Sequence, residues 1–531
     1  MIGWSNSTSM QESHTSPNEV DDRRLRRDEL VLLVSLAAVK FALHVASNAL
    51  DTYGYFRDEL YYLACTQHLD IGYVDQPPFS IFLLALNRAV LGDALVMVRL
   101  LPALAGSATV FVTGLIVREL GGRRLAILVA CTSSIVSLVY LGMFSVYTMN
   151  AFDILLWTVA AYLLLRIGAT GSVRLWILLG FVLGVGLLNK TGVLWLGLGL
   201  AVGLIVTPWR AWLRRPWPWV AAAIAGLVFL PYIIWNIQHD FAHLEFIRRA
   251  TEGKYAGLSR SDFLLGQILL QNPTTLPVWT VGLGMLLFSR AMHQGRILGV
   301  IVLVVAGILL INGQSKAEYL CAAYGPLFAA GGVAWERWLK APRPMALRGL
   351  LLGFIAGGIV LAPVTLPVLP VESYLRYAES LGIEPSTPED LELAELPQFF
   401  ADRFGWEEKA RAVAEVYMRL SPEEQKVCRV YAANYGRCGA VDFFGRTYGL
   451  PPAIGSHNSY WIWGPADCDG QLLIVLGGDL EDCQEGFEEV EVAATVSSRY
   501  CMPYENNLNV YVCRRLKKPI QEVWPTLKHY M

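Results

Sequence analysis

The stretch ELVLLVSLAAVKFALHVASNA (29–49) runs directly into LDTYGYFRDELYYLACTQHLDIGYVDQPPFSIFLLALNRAVLGDA (50–94). The first segment is about as long as a helix needs to cross a ~30 Å hydrocarbon layer, roughly 20 apolar residues. The second is too long for a turn between two such helices, and it sets acids among tyrosines. A membrane span followed by a long acid-bearing loop is the pattern from which the rest of the chain is read.

Composition agrees. Of 531 residues, 54% are hydrophobic, only 17% are charged, and the net charge is −2; the mean hydropathy is +0.42. Soluble domains carry about 25% charged residues. A soluble enzyme, a disordered chain and a fibrous protein are excluded, and the slightly acidic balance argues against a nucleic-acid partner. Residues 1–28 are polar and Ser-rich and read as a disordered cytoplasmic tail, not a signal peptide.

Apolar runs near 29–49, 95–117, 125–142, 150–166, 175–189, 192–208, 217–235, 274–289, 297–312, 318–336 and 348–369 predict about eleven transmembrane helices within residues 29–370. Lys and Arg test this count. With the N-terminus inside, the cytoplasmic turns hold eighteen of them and the opposite loops eight, spread over longer stretches. That is the positive-inside pattern. It places the protein in the plasma (inner) membrane and residues 371–531 outside, as an extracytoplasmic α/β or α+β domain. There, 426–434, 471–479 and 508–516 read as strands and 406–420 as an amphipathic helix. Cys428, Cys438, Cys468, Cys483, Cys501 and Cys513 all fall in this domain, which predicts disulfides of undetermined pairing. Cys131 and Cys321 lie in spans and read as packing residues.

Two outer loops are long, 50–94 and 236–273, and long loops concentrate function. The first carries Asp58, Glu59 and Asp75 beside Tyr61 and Tyr62; Asp153 stands at the outer end of the fourth span. Acids at the edge of hydrocarbon are costly and usually functional, so Asp58, Asp75 and Asp153 are candidates for one outward cleft, with separate structural carboxylates as the alternative. Lys40, His44 and Asn48 share one face of the first span and read first as an internal hydrogen-bonded set. His239 and His243, with Asp240, have the spacing of a helical metal pair, which leaves a divalent metal open against a polar interfacial helix.

The stretches YGYFRDELYYLACTQHLDIGYVDQPPFS (53–80) and VRLLPALAGSATVFVTGLIVRELGG (98–122) resemble the N-terminal signature of glycosyltransferase family 39, a GT-C type that includes protein O-mannosyltransferases and lipid A aminoarabinose transferases. NYGRCGAVDFFGRTYGLPPAIGSHNSYWIWGP (434–465) and MPYENNLNVYVCR (502–514) are similar to a bacterial subgroup. The resemblance implies transfer of a sugar from a polyprenyl-phosphate donor to a protein, lipid or glycan acceptor on the outer face. It matches Asp58 to a catalytic aspartate, Asp75 to the acid before the paired prolines, and Asp153 to the acid of the second loop. A carboxylate there would deprotonate or orient the acceptor, and cations would hold the departing phosphate. Lipid A transferases often carry Lys where Gln76 stands, so Arg57, Lys190 and Lys316, with Tyr319 nearby, become the phosphate-binding candidates. Arg248, Arg249 and Lys254 would meet lipid headgroups. The competing reading is a transporter or flippase, which would be expected to show inverted repeats and midplane charges.

Overall fold

The computed structural model describes residues 26–255, 257–339, 344–387, 389 and 391–531. Most of the predicted N-terminal tail, with Lys340 and Arg343, lies outside the described residues.

The first part of the chain is helical. Helices α1 (Arg27–Ala49), α2 (Arg57–Cys65), α3 (Phe79–Leu91), α4 (Leu100–Glu119), α5 (Arg124–Val136), α6 (Met149–Thr170), α7 (Val173–Asn189), α8 (Val193–Val206), α9 (Trp217–Gln238), α10 (Ala242–Glu252), α11 (Arg260–Leu270), α12 (Leu276–Phe288), α13 (Arg296–Asn312), α14 (Tyr324–Leu339) and α15 (Pro344–Thr365) follow in order. Among the described residues six helical segments are long and apolar enough to cross a membrane, and a seventh counts if the bent pair at 193–214 is one span. The chain is built as a multi-pass membrane protein. Each predicted span falls on a helix, but several are short or broken. The bend after α8 is 101° and comes at Pro208, which has no N–H to continue the ladder.

The break after α5 explains a buried lysine. At Ser137 the backbone turns extended (φ −60°, ψ 121°), which strips carbonyls of their intrahelical donors. Lys40 Nζ donates to Ile135 O at 3.2 Å and Asn272 Nδ2 to Val136 O at 3.2 Å. Lys40 therefore serves the bundle. His44 packs edge-on to Phe144 on the same side. Elsewhere helices approach closely: a Cβ on Gly282 would lie 2.0 Å from Leu327 O, and one on Gly331 2.0 Å from Val278 O, so α12 and α14 need glycine at both positions.

The last part folds as a five-stranded mixed sheet, β1 (Cys428–Ala432), β2 (Ala453–Gly455), β3 (Leu472–Leu476), β4 (Phe487–Val496) and β5 (Leu508–Leu516), in the order β2-β1-β3-β5-β4. Strands β2, β1 and β3 are parallel, with Val430 opposite Ile474; β5 runs antiparallel to β3, with Leu473 opposite Cys513, and β4 antiparallel to β5. Helix α16 (Trp406–Arg419) and helix α17 (Tyr435–Phe444) pack on the sheet side that meets the first loop. Strand β3 is buried throughout, as its unbroken apolar run requires.

The expected disulfides are absent: Cys428, Cys438, Cys468, Cys483, Cys501 and Cys513 are all buried and unpaired. They act as small apolar groups with weak S–H donors. Cys438 Sγ donates to Ala432 O at 3.2 Å and Cys501 Sγ to Ser498 O at 3.1 Å. Cys483 and Cys513 lie side by side as free thiols.

Candidate active site

Helix α2 carries Asp58 and Glu59 of the first loop, and the C-terminal domain lies directly against it. The fit needs Gly439 on α17, where a Cβ would sit 2.8 Å from the Leu60 carbonyl. A cavity of about 670 Å³ opens here, between α2, the Asp75 loop, the start of α6, the turn between α7 and α8, the end of α9, helix α10, the 314–319 turn and residues of the C-terminal domain.

Asp58 and Asp75 both line this cavity. Asp58 keeps 34% of its side chain exposed. Its Oδ1 accepts a hydrogen bond from Tyr435 Oη at 2.9 Å, and Arg57 Nε is 3.5 Å away. Asp75 Oδ1 accepts from Tyr61 Oη at 2.8 Å. Burial pushes the Asp75 carboxyl up to about 6, against the Tyr61 hydrogen bond, which lowers it. The Tyr61 and Tyr435 rings pack 4.9 Å apart, so the two acids are held by adjoining tyrosines.

Asp153 does not line the cavity. It sits one turn below Asn150 on α6, buried, with Lys190 Nζ at 3.9 Å. Lys190 itself lines the cavity, donates to Asn150 Oδ1 at 2.7 Å and lies over the Tyr319 ring. Asp153 thus stands behind a lysine, a place the sequence pattern of an acid at a span end does not reveal.

Two substrate-binding candidates, Glu59 and Gln76, lie off the cavity wall. Glu59 is fully buried, paired with Arg99 through two 2.8 Å hydrogen bonds, and accepts from Tyr147 N at 2.7 Å. Arg99 also meets Asp51, and Arg403 Nη1 reaches Asp51 Oδ2 at 2.9 Å. This four-residue ion network ties the first loop to the C-terminal domain. Gln76 is buried outside the cavity wall; its backbone carbonyl accepts from Tyr73 N, and among the described residues neither polar atom of its side-chain amide meets a hydrogen-bond partner. Arg57, Tyr61, Tyr62, Lys190, Lys316 and Tyr319 do line the cavity.

The metal candidates separate. His239 bonds Trp235 O and stacks on that indole, whereas His243 bonds Val74 O and Thr191 Oγ1. Among the described residues no group of three or more His, Cys, Asp or Glu side chains is placed to hold a metal. Of the second-loop cations Lys254 lines the cavity, while Arg249 pairs with Glu245 on α10 at 2.7 Å.

Sequence reading missed Tyr435, Glu389 and Asp402. Asp402 Oδ2 lies 3.6 Å from Arg57 Nη1 and accepts from Gln398 Nε2 at 3.3 Å. These residues lie more than 300 positions from α2, and only the NYGRCG motif carrying Tyr435 offered a signal.

The arrangement gathers acids and cations at one end of apolar helices, and the fold that carries it has known relatives. The family model described as dolichyl-phosphate-mannose-protein mannosyltransferase matches residues 75–235. The lipid A galacturonosyltransferase RgtD of Rhizobium johnstonii is 26% identical over 318 residues, 58% of this chain. That match spans 65% of RgtD, less than two thirds of its length. The structure of ArnT from Cupriavidus metallidurans bound to undecaprenyl phosphate superposes with a TM-score of 0.59 at 14% identity, covering 91% of this chain and 97% of ArnT. Its apo state gives 0.60 at 16% identity over the same shares. The arabinofuranosyltransferase AftD from Mycobacteria gives 0.50 at 14% identity, over 91% of this chain and 40% of AftD. The chain thus shares its fold with ArnT over 91% of its length and is similar in sequence to membrane glycosyltransferases of the mannosyltransferase type. The transporter reading draws no support from these relatives.

Proposed function

We propose that the protein is an integral-membrane glycosyltransferase that moves a sugar from a polyprenyl-phosphate donor to a protein, lipid or glycan acceptor at the outer face of the membrane. The observation that carries this reading is the placement of Asp58 in one cavity with Arg57, Lys190, Lys254 and Lys316. The wall beneath them includes Ile233, Leu244 and Ile247, all substantially exposed or half-buried apolar groups. A charged headgroup and an apolar tail would meet complementary surfaces there.

In this reading Asp58 takes the proton of the acceptor as its nucleophile attacks the anomeric carbon. The bond between that carbon and the phosphate oxygen breaks, and the lipid phosphate leaves with the electron pair. Lys316, Lys190 and Arg57 bind that phosphate in the donor and in the product. Asp75 and Tyr61 orient the acceptor or the sugar hydroxyls. Asp153 acts on the reaction through Lys190, by fixing its ammonium. The relatives' names support the reading: ArnT is seen with undecaprenyl phosphate, which fits the donor, and RgtD is a lipid A galacturonosyltransferase, which fits a lipid acceptor.

The reading includes eleven spans, an inner-membrane location, a cytoplasmic N-terminus and an extracytoplasmic domain at 371–531. A reporter fused after Met531 should then register outside, and one within 210–215 inside. Transfer of label from a polyprenyl-phosphate sugar by the purified chain in nanodiscs tests the activity; no transfer to any lipid, glycan or peptide acceptor fraction, from a panel of donor sugars, would refute it.

A further inference from the structure

Glu389 belongs to the segment that follows the helical domain, yet it forms part of the cavity wall. Its Oε1 lies 3.2 Å from Lys316 Nζ. Its Oε2 accepts from Gln398 Nε2 at 3.0 Å. Its backbone N–H donates to Thr387 Oγ1 at 3.0 Å, and that hydroxyl in turn donates to Gln398 Oε1 at 2.5 Å. The carboxylate is thus clamped from its own segment and aimed at the cavity. Burial alone would raise this carboxyl, but Lys254, Lys316 and Arg57 together hold it well below the usual range. Glu389 is an anion at neutral pH, and Lys316 already has a partner.

We propose that Glu389 is a resident anion that competes with the lipid phosphate for Lys316, weakening the grip on the spent carrier and so hastening its release. The inference rests on the reading of Lys316 as a phosphate contact. The chemistry of the reaction gives it a purpose. The phosphate is anionic before and after transfer, so cations that bind it hold donor and product alike. Such uniform binding does not raise turnover, and it slows departure of the product. A second anion on the same ammonium offsets that grip. In a half-enclosed cavity, an ion pair that the phosphate must partly displace from the same ammonium changes affinity by on the order of ten-fold.

The test is titration of the detergent-solubilised full chain with undecaprenyl phosphate, alongside inhibition of turnover by the same lipid. Glu389→Gln should bind the lipid on the order of ten-fold tighter and suffer stronger product inhibition. Lys316→Ala should bind it more weakly, and Glu389→Gln should no longer tighten binding in the Lys316→Ala background. A merely structural Glu389 gives the opposite sign, since loosening the clamp weakens binding. Should Glu389→Gln fail to fold, Glu389→Asp keeps the charge but withdraws it by one methylene, and a smaller tightening is expected. If Lys316→Ala weakens binding while neither Glu389 variant tightens it, this inference alone falls. If Lys316→Ala binds like the wild type, the phosphate role of Lys316 falls and the inference with it.

Discussion

Tyr435, at the start of α17, donates its phenolic hydrogen to Oδ1 of Asp58 across 2.9 Å. One domain thereby fixes the carboxylate that the other presents. Hydrogen bonds to charged groups contribute about 1.5–3 kcal/mol, and each 1.36 kcal/mol is ten-fold in rate. Tyr435→Phe should therefore lower turnover roughly ten- to a hundred-fold with little change in donor affinity. Steady-state transfer with separately measured donor binding checks this. A variant that turns over normally would show that Asp58 needs no positioning from the C-terminal domain.

The network of Asp51, Glu59, Arg99 and Arg403 is fully buried at all four side chains. Removing one member leaves a buried charge uncompensated, which costs about 3–5 kcal/mol. Arg99→Leu should lower the yield and the melting temperature sharply, while the folded fraction keeps its donor affinity. A stable variant with impaired donor binding would return Glu59 to the binding site.

Asp75 makes stability depend on pH. Burial raises its carboxyl from 3.8 to about 6, so between those values the folded protein holds a proton that the unfolded chain has released. Stability then falls as pH rises through that window, and the loss is complete above it. Asp75→Asn should flatten the slope and make the protein more stable at pH 7, by at most about 3 kcal/mol. Asp402, also raised by burial to about 6, keeps part of the slope in that variant. Unfolding midpoints from pH 4 to 7 measure this; equal slopes in both proteins would remove Asp75 as the cause.

The cysteine arrangement predicts thiols, not bridges. Denatured without reductant, the protein should alkylate at all nine cysteines, Cys65, Cys131 and Cys321 included. Mass spectrometry counts the labels. Loss of two labels at Cys483 and Cys513 would show that this adjacent pair oxidises.

Much of this molecule was legible in the sequence because apolar periodicity and length act locally. The predicted spans all overlap helices, though among the described residues only six or seven helical segments are long enough to cross a membrane, and the strand read at 508–516 matches β5. Strand β4 escaped notice because it is an exposed edge whose Glu488, Glu489 and Glu491 interrupt the apolar alternation that marks a strand. The short β2 carries only three residues, too few for a pattern. Local signals singled out Asp58 and Asp75, the family resemblance added Lys190 and Lys316, and all four line one cavity. The local signals did not separate Glu59 from Asp58, since adjacent residues on a helix point in different directions. Only the fold shows that one faces the cavity and the other Arg99. Glu389, Asp402 and Tyr435 arrive from distant sequence, where no spacing rule applies.

The central claim is that Asp58 is the general base of a sugar transfer. Asp58→Asn preserves size and polarity while removing the charge and most of the basicity. The decisive measurement is initial-rate transfer from a polyprenyl-phosphate sugar by wild type and Asp58→Asn in nanodiscs, with melting temperature and donor affinity measured on the same samples. The account predicts a loss of about 10²–10⁴ in rate with folding and donor affinity preserved. Transfer near the wild-type rate by a well-folded Asp58→Asn would contradict it and move the role of base to Asp75.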